Sequence, residues 1–173
     1  MAFVLAVISA MIFICGCSDD SGAPDKGETS SPAASAAARS GFPKLPKGAL
    51  PIDDDAPQEF TETESGLKYR ILRKSDNRKP VRGDGVEAHY KGWLDDGSQF
   101  DSSYDKGRPL RFVAQAGPGG VIPAWVEAVQ LIGIGGMIEI IAPPDLAYGP
   151  QGRPPVIPAN ATLHFLIELR DVR

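Results

Sequence analysis

The chain has 173 residues, a hydrophobic fraction of 42% and a formal net charge of -4, which bounds it to one folded domain plus accessory segments. Its 18 Lys and Arg are spread along the chain with no basic run, so it carries no electrostatic footprint for nucleic acid. The 2 cysteines, Cys15 and Cys17, both sit at the edge of the N-terminal apolar run, which leaves the remainder without a disulfide or a thiolate metal site.

The first element, "MAFVLAVISAMIFICGC" at 1–17, holds about fourteen nearly uninterrupted apolar residues, a length that suits a signal-peptide core better than a membrane span of roughly 18 or more. Its end, "ICGC", resembles a bacterial lipobox, in which the last cysteine is lipidated and becomes the new N-terminus; by position that is Cys17. No Lys or Arg precedes the apolar run, so either the true start lies upstream or the segment is an uncleaved anchor. The expectation is a lipoprotein held on the extracytoplasmic side of a membrane.

Residues 18–57 are rich in Ser, Ala, Gly, Pro and Asp, and read as a disordered tether whose apolar content does not offset its chain entropy. From Gln58 the pattern changes to short runs of period two separated by Gly and Pro, and 58–173 reads as the folded domain. Leu67, Tyr69 and Ile71 alternate with Lys68 and Arg70. Val86, Ala88 and Tyr90 alternate with Glu87, His89 and Lys91, and Leu163, Phe165, Ile167 and Leu169 with His164, Glu168 and Arg170. Further strands are expected at Gln99–Ser102, Leu110–Val113 and Met137–Ala142. One short helix is expected at Pro123–Leu131, with Pro123 at its first position and Trp125, Ala128 and Val129 on one face. The fold class is α+β: an antiparallel sheet of about five strands wrapped around one short α-helix.

The stretch "LDDGSQFDSS" gathers Asp95, Asp96 and Asp101. Asp96-Gly97 between two strand patterns reads as a hairpin turn of the primed type. A calcium loop needs alternating oxygen ligands with a Gly at the sixth position and a Glu at the twelfth, and this stretch does not supply them. Ser102 and Ser103 have no base nearby in sequence, which argues against hydrolase chemistry. His89 and His164 fall on the polar phases of their strands and read as solvent-facing, so no metal site is expected.

The segment "HYKGWLDDGSQFDSS" at 89–103 resembles the signature of FKBP-type peptidyl-prolyl isomerases. The resemblance begins at "TESGLKYRIL" and continues through "VIPAWVEAVQ", "PPDLAYG" and "VIPANATLHFLIEL", in order and at nearly the family's spacings, over 58–173. It implies catalysis of cis/trans rotation about X-Pro bonds, with proline-containing polypeptides as substrates and no cofactor. Carried over position by position, it implies a cup with Trp125 at its floor and Tyr90, Phe100, Phe112 and Phe165 as aromatic walls, with Val121, Ile122 and Ile157 between them. It further implies a hydrogen bond to a substrate carbonyl from the Tyr148 hydroxyl and another from the Ile122 N–H, with Asp101 at the rim bonded to Tyr90. Tyr90, Phe100, Asp101, Trp125 and Tyr148 are thus expected to be catalytic, and Phe112, Val121, Ile122, Ile157 and Phe165 to bind substrate.

The sequence departs from the family's pattern in places. "AQAGPGG" at 114–120 is longer than the usual connection, Ala124 stands where a Gly precedes the tryptophan, Leu110 replaces an aromatic found in some members, and Arg153 adds a charge beyond Tyr148. The longer loop and Ala124 motivate an alternative, a non-enzymatic peptide-binding chaperone module on the same fold. No helical dimerisation arm is present, so a monomer is expected.

Overall fold

The computed structural model describes residues 41–117 and 120–173. The apolar segment with Cys17 and the first part of the expected tether therefore lie outside the described residues. Seven strands form one antiparallel sheet: β1 (Thr61–Glu62), β2 (Lys68–Arg73), β3 (Gly85–Leu94), β4 (Gln99–Ser102), β5 (Leu110–Val113), β6 (Met137–Ala142) and β7 (Leu163–Val172). Their order is β1-β2-β6-β7-β3-β4, and β5 also pairs with β3. Among the described residues one α-helix, α1 (Pro123–Leu131), lies against the sheet. The sheet thus exceeds the expected count of about five: all six ranges read from the sequence form strands, and β1, only two residues long, is added, while β4 and β5 both pair with β3 along different stretches of it.

The ten-residue β3 is long enough to serve three neighbours, and this arrangement opens the site. One edge pairs with β7 along its whole length. The other edge pairs with β5 from Gly85 to Ala88 and with β4 from Lys91 to Trp93. Tyr90 lies in the gap between those two partners.

Alternation puts Val86, Ala88, Tyr90, Ile138, Ile140, Leu163, Phe165, Ile167 and Leu169 on the inner face. There they bury Ala124, Trp125, Ala128 and Val129 of α1. Pro123 opens the helix at a position where its missing N–H costs nothing, and no side chain caps the start. The turn between β3 and β4 differs from the primed two-residue form: only Gly97 has positive φ (82°), and Asp96 Oδ1 accepts the Ser98 N–H at 2.8 Å. This is a four-residue turn, with Asp95 turned away to meet His164 Nε2 at 2.7 Å.

The outer face departs most from the sequence expectation. Residues 41–57, assigned by composition to the tether, lie against it: Phe42, Leu45, Ala49 and Ile52, together with Trp93, pack on Leu72, Met137 and Leu166. Asp53 N–H donates to the Leu72 carbonyl at 2.8 Å, which ties this segment to β2. The packed unit therefore includes residues well before Gln58. Beneath the segment, Arg70 is 4% exposed and donates to Glu139 at 2.7 Å and to the Gln58 carbonyl at 2.7 Å, with its guanidinium 4.6 Å from the ring centres of both Phe42 and Phe60. Glu168, fully buried, accepts from Arg73, Tyr104 and Arg170. Burial works to raise its pKa, but the hydrogen bonds from Arg73 and Tyr104 and the positive charge of Arg170 outweigh it and hold the carboxyl below its ordinary value.

The two histidines share this covered face, so they are half-buried rather than solvent-facing. His164 stacks on Trp93 at 5.7 Å, and His89 stacks on Tyr104 at 4.7 Å.

Candidate functional site

An open cavity of about 1190 Å³ lies between the inner face of the sheet, α1 and the loops around it. All ten residues expected in the cup line it: Tyr90 from β3, Phe100 and Asp101 from β4, Phe112 from β5, Val121 and Ile122 before the helix, Trp125 in its first turn, Tyr148 and Ile157 from the loops before β7, and Phe165 from β7. Five elements and their connections thus converge on one concavity. Cys17, the expected lipidation site, lies outside the described residues.

Trp125 is 3% exposed and forms the floor. Three rings meet it edge to face: Tyr90 at 5.0 Å and 78°, Phe112 at 5.4 Å and 70°, and Phe165 at 5.4 Å and 88°. Phe100 meets Phe165 in the same way at 5.5 Å and 86°. Such T-shaped pairs add about 0.5–1.5 kcal/mol each beyond area burial. The rings therefore brace one another, and the cup is formed before anything enters it.

The rim is polar and its protonation is fixed. Tyr90 O–H donates to Asp101 Oδ2 at 2.5 Å, while Asp101 Oδ1 accepts the Ser102 N–H at 2.8 Å and pairs with Lys106. Burial is the main cause that pushes the Tyr90 pKa far above its ordinary value, and the bond to Asp101 adds to it. Burial also works to raise the pKa of Asp101, but the bonds from Lys106, Tyr90 and Ser102 prevail and hold it below the usual carboxylate range. At neutral pH Tyr90 is a phenol and Asp101 a carboxylate, so neither is poised to move a proton. Among the described residues the Tyr148 hydroxyl and the Ile122 N–H have no hydrogen-bond partner, and both are available to a bound peptide.

Ser103 does have a base close by: its Oγ lies 3.0 Å from His89 Nδ1. Strand pairing, invisible in the local sequence, brings them together. Ser103 is only 2% exposed, however, and its Oγ accepts the Tyr90 N–H at 2.7 Å, so it fastens the loop after β4 to β3 and presents no nucleophile to the cavity.

Sequence reasoning missed Gly92. A Cβ at this position would lie 2.5 Å from Phe100 Cζ and 3.0 Å from Phe165 Cε1, so the absent side chain is what lets the Phe100 ring lie across β3 and form a wall. The available signal was an isolated Gly inside a strand pattern, which marks a close approach. Lys106, Arg111 and Val156 also line the cavity, and no periodic pattern points to them.

Comparison with known proteins fits this geometry. The family model described as FKBP-type peptidyl-prolyl cis-trans isomerase matches residues 76–170. The chain is 39% identical over 127 residues to the FKBP-type 22 kDa peptidyl-prolyl cis-trans isomerase of Escherichia coli strain K12, covering 73% of this chain and 60% of that protein. It is 48% identical over 108 residues to FK506-binding protein 1A of Emericella nidulans, covering 62% of this chain and 98% of that one. Among solved structures, FkpA from Escherichia coli superposes with a TM-score of 0.62 at 41% identity, covering 68% of this chain and 53% of that one. The chain spans 60% of the first bacterial relative and 44% and 38% of two FkpA proteins that it also matches. The matched region is the one that builds the sheet, the helix and the aromatic cup, and this chain belongs to the FKBP-type peptidyl-prolyl cis-trans isomerase family.

Proposed function

We propose that the protein is a peptidyl-prolyl cis-trans isomerase acting on proline-containing polypeptides. The observation that carries this reading is the convergence of Trp125, Tyr90, Phe100, Phe112 and Phe165 on one open apolar cavity whose rim groups are fixed in their protonation states. Rotation about an X-Pro bond faces a barrier of about 18–20 kcal/mol because it breaks amide resonance. No covalent bond is made or broken, so the site needs neither a nucleophile nor a redox group.

What the cavity supplies is grip and desolvation. The planar amide is more polar than the twisted one, so an apolar wall that strips water from it favours the twisted state. Trp125, Phe112, Val121, Ile157 and Phe165 hold the proline ring, and Tyr90 and Phe100 close over it. The Tyr148 O–H and the Ile122 N–H donate to carbonyls of the peptide, fixing the chain on either side while the amide turns. Asp101 orients the Tyr90 hydroxyl and polarises the rim.

Lipidation at Cys17 would hold the domain at a membrane on the extracytoplasmic side, where exported polypeptides are its substrates; the tetrad "ICGC" supports this reading. Labelling with a palmitate analogue tests it: signal in the wild type that disappears in Cys17→Ser is expected, and unchanged signal counts against it. The isomerase reading is tested by NMR exchange on a short X-Pro peptide. Acceleration at substoichiometric protein is expected, and binding without acceleration would favour the non-enzymatic chaperone reading.

A further inference from the structure

A second concavity, about 510 Å³, adjoins the aromatic cup and shares Tyr90, Lys106, Leu110 and Arg111 with it. Arg108 and Pro109 complete its lining together with Ser103, and no carboxylate among the described residues lines it. Its lining combines the apolar surfaces of Tyr90, Pro109 and Leu110 with the cations Lys106, Arg108 and Arg111, in a chain whose net charge is -4.

The cations differ in what already neutralises them. Lys106 is paired with Asp101, and Arg111 is 2.7 Å from Glu87. Asp105, next to Lys106, accepts from Gln99. Arg108 and Arg153 have no carboxylate partner among the described residues. Arg108 borders the second concavity, whereas Arg153 lines the cup itself, with its guanidinium 5.9 Å from the Tyr148 ring centre. The proline cup is therefore bordered by two exposed, uncompensated guanidinium groups from two different loops.

We propose that this border is a specificity subsite that selects peptides with an acidic residue next to the proline, the carboxylate seating against Arg108 in the adjoining groove or against Arg153 by Tyr148. The inference rests on the proline-peptide reading of the cup. A planar guanidinium takes a carboxylate in bidentate fashion, and the apolar surfaces of Pro109 and Leu110 in the groove accommodate the methylenes of a glutamate side chain. Exposed pairs of this kind shift an equilibrium by roughly two- to fivefold each and are screened by salt.

The test compares the full chain on four peptides that differ only beside the proline: Glu or Gln before it, and Glu or Gln after it. Exchange rates by NMR and affinities from quenching of tryptophan fluorescence are measured on each. At low salt at least one Glu peptide is expected to exceed its Gln counterpart by about threefold or more in both readouts. That preference is expected to shrink in about 0.5 M salt. It is also expected to fall on Arg108→Gln or Arg153→Gln, depending on which side of the proline the Glu occupies, while Arg108→Gln leaves the Gln peptides unchanged. Equal affinities for Glu and Gln peptides on both sides would overturn the inference, as would a preference that survives both substitutions. Failure of the isomerase reading looks different: no peptide is accelerated, and the affinity comparison still decides whether the charge is recognised.

Discussion

Gly92→Ala perturbs the cup without removing any group that lines it. The added Cβ would stand 2.5 Å and 2.8 Å from two atoms of the Phe100 ring and 3.0 Å from Phe165. Carbon atoms in contact rest about 3.5–4.0 Å apart, so the Phe100 ring must retreat by about 1 Å. The backbone of β3 cannot yield instead, because Gly92 pairs with Phe165 on one side and Asp101 on the other. Phe165 is 4% exposed and held edge-on by Trp125, so the displacement falls on Phe100, which is only half-buried and moves into the cavity. Overpacking a tight interior costs about 1–3 kcal/mol, and the freedom of Phe100 places this substitution near 1–2 kcal/mol. Activity suffers more than stability, because the ring that retreats is the wall that closes over the proline. The checks are urea unfolding and exchange of an X-Pro peptide: a modest drop in midpoint with kcat/KM reduced tenfold or more is expected. A variant that keeps both stability and activity would refute the argument that the missing side chain builds the wall.

Phe42→Ala tests the other face: losing a half-buried ring and its stack on Arg70 is expected to cost about 2 kcal/mol in urea unfolding while leaving peptide exchange unchanged, since Phe42 is remote from the cavity lining. Tyr148→Phe removes one donor to the peptide and is expected to lower kcat/KM roughly two- to tenfold, one hydrogen bond's worth, whereas Asp96→Ala, in the turn, should leave the rate unchanged. The pH dependence of stability follows from His89, whose pKa is lowered by burial first and by the charge of Arg170 next, against Glu168 and Glu87. The fold favours its neutral form, so its contribution is complete above the ordinary value of about 6.5 and is lost as pH falls toward the depressed one. Unfolding midpoints should therefore decline from pH 7 to pH 5, and less so in His89→Gln.

Much of the scaffold is legible in the sequence because each element has one dominant period. The ranges of α1, β4, β5 and β6 follow directly from short runs bounded by Gly and Pro. The outer face is not legible, for a physical reason: Arg70, His89, His164 and Glu168 occupy polar phases, and phase alone does not distinguish a solvated charge from one buried with partners. Tyr104 and Trp93 stack on the two histidines, and Arg70 lies under a segment whose Phe42, Leu45, Ala49 and Ile52 are so widely spaced within a Ser-, Ala- and Pro-rich stretch that average composition conceals them.

The cup illustrates a different limit. Its rings come from β3, β4, β5, α1 and β7, so no local pattern gathers them, and family resemblance alone brings them together before the fold does. Lys106 escapes both routes, and Gly92 leaves only the trace of an isolated glycine in a strand. A glycine that makes room and a lysine that pins Asp101 act through neighbours supplied by the tertiary structure.

The central claim is that this cup turns X-Pro bonds by apolar grip, with no proton transferred. Its most direct test is the cis/trans exchange rate of one X-Pro peptide with the full chain at substoichiometric concentration, measured across neutral pH and compared with folded Trp125→Ala. The account predicts acceleration that is flat with pH and collapses in Trp125→Ala. Acceleration that titrates near neutrality, or that survives the loss of Trp125, would contradict it.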